Sequence, residues 1–218
     1  MEESDWSSDV CSSDLAGFRN LRGTLVPPAA DGDVLVVSEK ATQRLLSWPV
    51  RRDGSLGPVV VTASAGAVPF GFAFDARDDL IVSEAVASAA SSYRFDENRG
   101  ATPTLVSASV PNTQAAACWV AITPDSRYAY TANAGTSSIS SYRIARDGRI
   151  TLSQAVAGSH GENAGATDLA VSTDGRRLYG LAPRSLQIVA FDLRHDGSLA
   201  RRGAASGLPA GSVGLAAN

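Results

Sequence analysis

One turn returns four times along this chain, and that recurrence limits the fold more than any other feature. It follows an extended run in "SWPVRRDGSLG" (47–57), "SSYRFDENRGAT" (91–102), "SSYRIARDGRIT" (140–151) and "VAFDLRHDGSLA" (189–200). Its glycines Gly54, Gly100, Gly148 and Gly197 lie 46, 48 and 49 residues apart. A second element precedes it in three copies: "GFAFDARDDLIVSEA", "VAITPDSRYAYTANA" and "LAVSTDGRRLYGLAP". The aspartates Asp75, Asp125 and Asp174 within it are 50 and 49 apart. A fixed period of this size means that one supersecondary unit is stacked repeatedly.

Each unit reads as four short strands. In the third, "WVAIT" is strand A, "YAYTAN" is B, "SISSYRI" is C and "ITLSQAV" is D. Alternating apolar residues mark half-buried strands, and the more continuous apolar runs suit buried inner ones. The Asp-Gly pairs supply the positive φ that tight hairpin turns require. No segment sustains a 3.6-residue apolar period. Four strands in about four dozen residues predict an all-β chain, a β-propeller of four-stranded antiparallel blades.

"YAYTANAGTSSISSYRIARDGRITL" resembles the YVTN-type propeller repeat: Tyr, three residues, Asn, then a serine-rich strand and an Asp-Gly turn. With "PFGFAFDARDDLIVSEA" and "ACWVAITPDSRYAYTANAG", the chain resembles the seven-bladed propeller lactonase family, which includes 6-phosphogluconolactonase-like and carboxymuconate-cyclase-like proteins. The resemblance runs from about residue 30 to 218.

Residues 31–218 hold about four copies, over 31–62, 69–108, 118–157 and 167–204, with a final strand expected over 212–218. Seven blades are implied by the resemblance, so about four of seven are expected here, as an open arc or partial ring within 16–218. A compact four-bladed ring is the alternative. Upstream, "SSDVCSSDL" resembles the end of a sequencing adapter translated in frame. Residues 1–15 are therefore read as an artefactual or disordered tail, excluded from fold reasoning. Cys118 then stands without Cys11. A fragment with its missing blades upstream is the expectation, and an open arc would leave strand edges bare.

The formal net charge of -3 and the 19% content of charged residues point to neither nucleic acid nor an anionic membrane as partner. A small-molecule ligand, a lactone, is the partner the resemblance implies; a protein partner at the rim is the other. No metal-ligand spacing, phosphate-cradling glycine loop or nucleophile elbow is present, and no cofactor is expected. A periplasmic or secreted location is slightly preferred to a cytoplasmic one, because related proteins are exported.

In a propeller the A–B and C–D turns gather at one end and the B–C and D–A loops at the other, around the channel mouth. The mouth loops are longer and less regular, as functional loops are. Lactone opening needs a water, a base to take its proton, and donors for the oxyanion. Glu84, which ends "LIVSEA", takes the slot of the Asn in the YVTN pattern; Glu39 in "LVVSEK" matches it one copy earlier. Two such glutamates on one rim would bind a cation or raise each other's pKa; otherwise they end strands and cap turns. Asn133 holds the same slot and either meets ligand or bonds its own loop. His160, in "GSHGENAGATDL" beside Glu162, is a general acid or base at the mouth, or a solvated loop histidine. Asp168 opens an inner strand and faces the channel or satisfies backbone N–H groups. Trp119 stacks on a ligand or packs between blades. Arg184 offers a cation. The catalytic candidates are thus Glu84, His160 and Asp168; Glu39, Trp119, Asn133, Glu162 and Arg184 are candidates for binding. His195 lies in a C–D turn at the far end and is set aside.

Phosphogluconolactonase-like relatives carry a His-x-His pair before one inner strand, whereas "AACWVAITPD" holds no histidine. Two classes stay open: a hydrolase of a small sugar or carboxylic-acid lactone, and a non-catalytic propeller whose rim of "ASAASS" and "GTSSIS" binds a ligand or protein.

Overall fold

Hairpins form wherever the Asp-Gly turns and apolar alternation require them. The computed structural model describes residues 22–25, 33–95 and 100–218. Four four-stranded sheets follow one another in strict sequence order, every pairing antiparallel. Blade 1 holds β1 (Arg22–Leu25), β2 (Asp33–Glu39), β3 (Arg44–Val50) and β4 (Val60–Ala63). Blade 2 holds β5 (Pro69–Phe74), β6 (Asp79–Glu84), β7 (Ala89–Phe95) and β8 (Pro103–Pro111). Blade 3 holds β9 (Ala117–Ile122), β10 (Tyr128–Asn133), β11 (Ser138–Ile144) and β12 (Ile150–Ser159). Blade 4 holds β13 (Asp168–Val171), β14 (Arg177–Ala182), β15 (Gln187–Leu193) and β16 (Leu199–Ser206). The described residues form no helix, and the sheets stay separate and unclosed, as in a partial propeller.

Two boundaries differ from the sequence expectation. The first blade starts at Arg22, ahead of residue 31, because "RGTL" pairs with β2. The strand expected over 212–218 is absent: Gly211 and Gly214 take φ of 80° and 82°, which breaks an extended run, and the Leu215 N–H donates to Asp168 instead of to a sheet edge. The tail over 1–15 and Cys11 lie outside the described residues.

Three C–D turns behave alike. Gly54, Gly148 and Gly197 each take φ near 80°, and each donates its N–H to the carbonyl three residues back. The A–B turns show that the aspartate spacing marked two different positions. Asp75, Thr123 and Ser172 are equivalent: each accepts the turn-closing N–H, from Asp78, Ser126 and Gly175, and each side chain caps the turn. Asp125 and Asp174 sit two residues further on.

The apolar core lies between blades, in successive clusters around Val36 and Tyr93, around Ile81 and Tyr142, and around Tyr130 and Phe191. Burying one such side chain contributes about 1.5–3 kcal/mol. Each buried tyrosine also directs its hydroxyl across a joint, as buried phenols must. Tyr93 accepts from Ala65 N at 2.8 Å, Tyr142 donates to Val110 O at 3.2 Å, and Tyr130 donates to Gly197 O at 3.0 Å. Inner strands meet closely. A β-carbon at Gly71 would stand 2.5 Å from Cys118 O, and the Ser83 hydroxyl bonds both Gly71 and Cys118 carbonyls.

Candidate functional site

At the mouth, one backbone bond fixes every D–A loop to its own B–C turn. The N–H groups of Ser64, Asn112, His160 and Gly207 donate to Gln43, Ser88, Ser137 and Leu186 at 2.9–3.1 Å. These four donors occupy one structural position, and the loop carrying each runs on to the next blade. There it meets the end of strand B, which is Glu84 in blade 2, Asn133 in blade 3 and Ala182 in blade 4. Three joints thus present the same slot with different chemistry.

In the first slot the Glu84 carboxylate is fully buried. It accepts from the Ser91 hydroxyl and from Ser109 Oγ at 2.6 Å. Gly66, on the incoming loop, leaves the space that this carboxylate fills. Glu84 is thus bonded within blade 2, while Glu39 is half-buried on blade 1 and opposite Arg44 in register. In the second slot Asn133 is buried. Its Nδ2 donates to Ser138 and Ser140 Oγ at 3.0 and 2.9 Å, and its Oδ1 accepts from Asn112 Nδ2 at 2.8 Å. That amide pair joins blades 2 and 3.

In the third slot the polar partners are gone. Thr131, Asn133 and Ser140 have Gly180, Ala182 and Val189 as their counterparts. The imidazole of His160 occupies the vacated volume, 3% exposed and edge-on to Phe191 at 5.7 Å. Neither ring nitrogen has a hydrogen-bond partner among the described residues. Burial pushes the pKa down to about 4, with the Ser137 backbone opposing and the charge of Arg201 adding. His160 is thus a neutral group within the joint, away from bulk water.

The other candidates lie outside these three slots. Asp168 starts the inner strand β13, buried; its Oδ1 accepts from Leu169 N and its Oδ2 from Leu215 N, both at 2.7 Å. Arg184 is exposed on the B–C loop of the same blade, its N–H bonded to Ala164 O and its stem beside Gly165. Glu162 is exposed on the D–A loop. Trp119 on β9 is half-buried and edge-on to Phe70 at 6.1 Å. Lys40 places its ammonium 4.7 Å from the Phe70 ring centre. This Lys40–Phe70–Trp119 row crosses blades 1 to 3. Sequence reasoning missed Phe70; its signal was an aromatic opening an inner strand, in "PFGFAF". Cys118, next to Trp119, is buried and in no disulfide among the described residues. The serines that a rim-binding surface would need are mostly interior: Ser88, Ser91, Ser92, Ser137, Ser138 and Ser140 are all buried. Among the described residues no three His, Cys, Asp or Glu side chains gather as a metal site.

Comparison with solved structures shows the same fold. A 6-phosphogluconolactonase candidate of Bacteroides uniformis superposes with a TM-score of 0.70 at 16% identity, over 83% of this chain and 57% of that one. A protein of Lactobacillus plantarum gives 0.68 at 18% identity, over 87% and 57%. The periplasmic gluconolactonase of Pseudomonas aeruginosa gives 0.64 at 23% identity, over 79% and 54%. The chain thus spans a little over half the length of these relatives. No curated protein sequence matches it significantly. The family model described as a seven-bladed β-propeller lactonase matches residues 102–215, more than half of the chain and all of blades 3 and 4. With four blades in sequence order and that match, the chain belongs to the seven-bladed β-propeller lactonase family.

Proposed function

We propose that the channel mouth hydrolyses a small sugar or carboxylic-acid lactone, with Asp168 as the base. Water attacks the lactone carbonyl carbon and gives its proton to Asp168. The ring C–O bond then breaks, and the same proton passes to the ring oxygen, leaving the free hydroxy acid. Two backbone N–H groups, of Leu169 and Leu215, hold the Asp168 oxygens in place at 2.7 Å. Arg184 on the same blade supplies a cation for the developing oxyanion. Trp119, half-buried and edge-on to the buried Phe70, offers an apolar surface for the ring, and Lys40 adds a second positive charge.

The observation that carries this reading is the division among the three catalytic candidates. Glu84 is locked to Ser91 and Ser109 and His160 has no hydrogen-bond partner among the described residues, whereas Asp168, equally buried, is held at the start of an inner strand by two backbone N–H groups. Family membership supports the reaction class, and the Pseudomonas relative supports a location outside the cytoplasm.

The test is acid release in a pH-stat from a panel of five- and six-membered sugar and carboxylic-acid lactones. Asp168→Asn should lose about a hundredfold or more in rate, the scale of a general base. Folded Glu84→Gln and His160→Ala proteins should keep rates within about threefold, well under that scale. Silence of the wild type on every lactone, or an undiminished rate in Asp168→Asn, would sink the proposal.

A further inference from the structure

The turn face opposite the mouth carries a cleft of about 460 Å³ between blades 3 and 4. None of the candidates for lactone chemistry lines it. Its walls are the A–B turns of both blades and the C–D turn of blade 4. Two close contacts hold those walls in place. A β-carbon at Gly197 would overlap the Tyr128 ring, and one at Gly175 would touch Pro124 Cδ at 3.5 Å.

Its ionic groups differ from those of the neighbouring joint. Between blades 2 and 3 Arg77 and Arg94 of the turn face are taken up. Arg77 meets Asp75 at 2.6 Å and Ser126 O at 3.0 Å, and Arg94 grips Asp79 with two bonds of 2.8 Å. Between blades 3 and 4 the carboxylates turn away. Asp125 and Asp174 give one oxygen each to the hydroxyls of Thr123 and Ser172 at 2.6 Å, and to the turn N–H groups. Their other oxygens stay 4.0 Å from Arg127 and 3.9 Å from Arg176. Arg194 makes no ion pair within 4 Å among the described residues. Three guanidinium groups, of which Arg127 makes one long bond of 3.4 Å to His195 O, thus line the cleft with two carboxylates already engaged by their own turns. Tyr128 and Leu193 add apolar wall.

We propose that this cleft binds an oxyanion, carboxylate or phosphate, carried on a small and partly apolar molecule, held by Arg127, Arg176 and Arg194. Guanidinium groups suit both anions, since their paired N–H donors match two oxygens at once. A volume of this order lies within the range of small-molecule sites. The site is independent of the mouth and of any lactone chemistry there.

Amide NMR titration of the intact chain with benzoate and with inorganic phosphate tests the proposal. Saturable shifts at Arg127, Gly175 and Gly197, with a Kd on the order of 1 mM, are expected. Benzoate alone would mark a carboxylate on an apolar body, phosphate alone a phosphate, and both a general oxyanion site; each supports the proposal. The Arg176→Gln/Arg194→Gln variant, altered only at exposed side chains, should bind at least about fivefold more weakly. No saturation by either probe up to about 50 mM, shifts confined to the Asp168 mouth, or equal affinity in the folded double variant would overturn it.

Discussion

The backbone of Gly180 lies directly beneath the imidazole of His160: a β-carbon there would overlap Nε2 and stand 2.8 Å from Cε1. Histidine and glycine therefore fit this joint only together. His160 cannot swing aside, because it is enclosed by the joint and packs edge-on to Phe191. Gly180→Ala should overpack the joint and destabilise the chain by about 1–3 kcal/mol. The urea midpoint measures this, and a midpoint equal to wild type would contradict the packing described.

The same residue sets an acid limit. Folded His160 has a pKa of about 4, below its unfolded value, so the unfolded chain binds the proton more readily. Stability is then fully present above the unfolded pKa and is lost as pH falls from about 6.5 towards 4. The shift corresponds to a loss of roughly 3 kcal/mol at most. Urea titrations at pH 7 and pH 5 should show a clear drop in wild type and a smaller one in His160→Asn, which places at this position the residue that Asn112 provides one blade earlier. Equal drops in both proteins would remove His160 as the source.

The blades were legible in the sequence because they rest on local rules. Strand B and strand C of blade 3 form over the residues that alternation and the Asp-Gly turn imply, Tyr128–Asn133 and Ser138–Ile144. The site was less legible, because burial depends on what the adjoining blade contributes. Nothing near His160 in the chain tells that Thr131, Asn133 and Ser140 give way to Gly180, Ala182 and Val189 in the blade it packs against. Glu84 looked like an open base because Ser109, the hydroxyl that meets it within the same blade, is 25 residues away in sequence. The aspartate spacing misled because Thr, Ser and Asp can all cap the same turn, so identity of type did not mean identity of place.

Arg94 and Asp79 form a two-bonded pair with the carboxylate fully buried and Gly148 of the next blade packed upon it. Hydrogen bonding to Asp79 holds the guanidinium pKa above its usual value. Arg94→Ala would leave a buried carboxylate without its cation, costing about 1–3 kcal/mol after water reaches the half-exposed side. Arg94→Lys should recover less than half of that loss, since one ammonium does not span both oxygens. Thermal melts of the three proteins decide it; full recovery by lysine would mean that charge alone matters here.

Glu84 and Gly66 form the tightest cross-blade fit at the mouth end. A methyl group at Gly66 would overlap the carboxylate and approach Ser109 Oγ at 2.7 Å. Gly66→Ala should therefore cost about 1–3 kcal/mol. Glu84→Ala should cost a similar amount, because Ser91 and Ser109 lose their common acceptor inside the blade. In the double variant the new methyl group enters the space the carboxylate leaves. Its destabilisation should fall short of the sum of the two singles by more than about 1 kcal/mol, the mark of side chains sharing one volume. Strict additivity in the urea-derived free energies would show that the loop from blade 1 does not rest on Glu84, and the first slot would have to be redrawn.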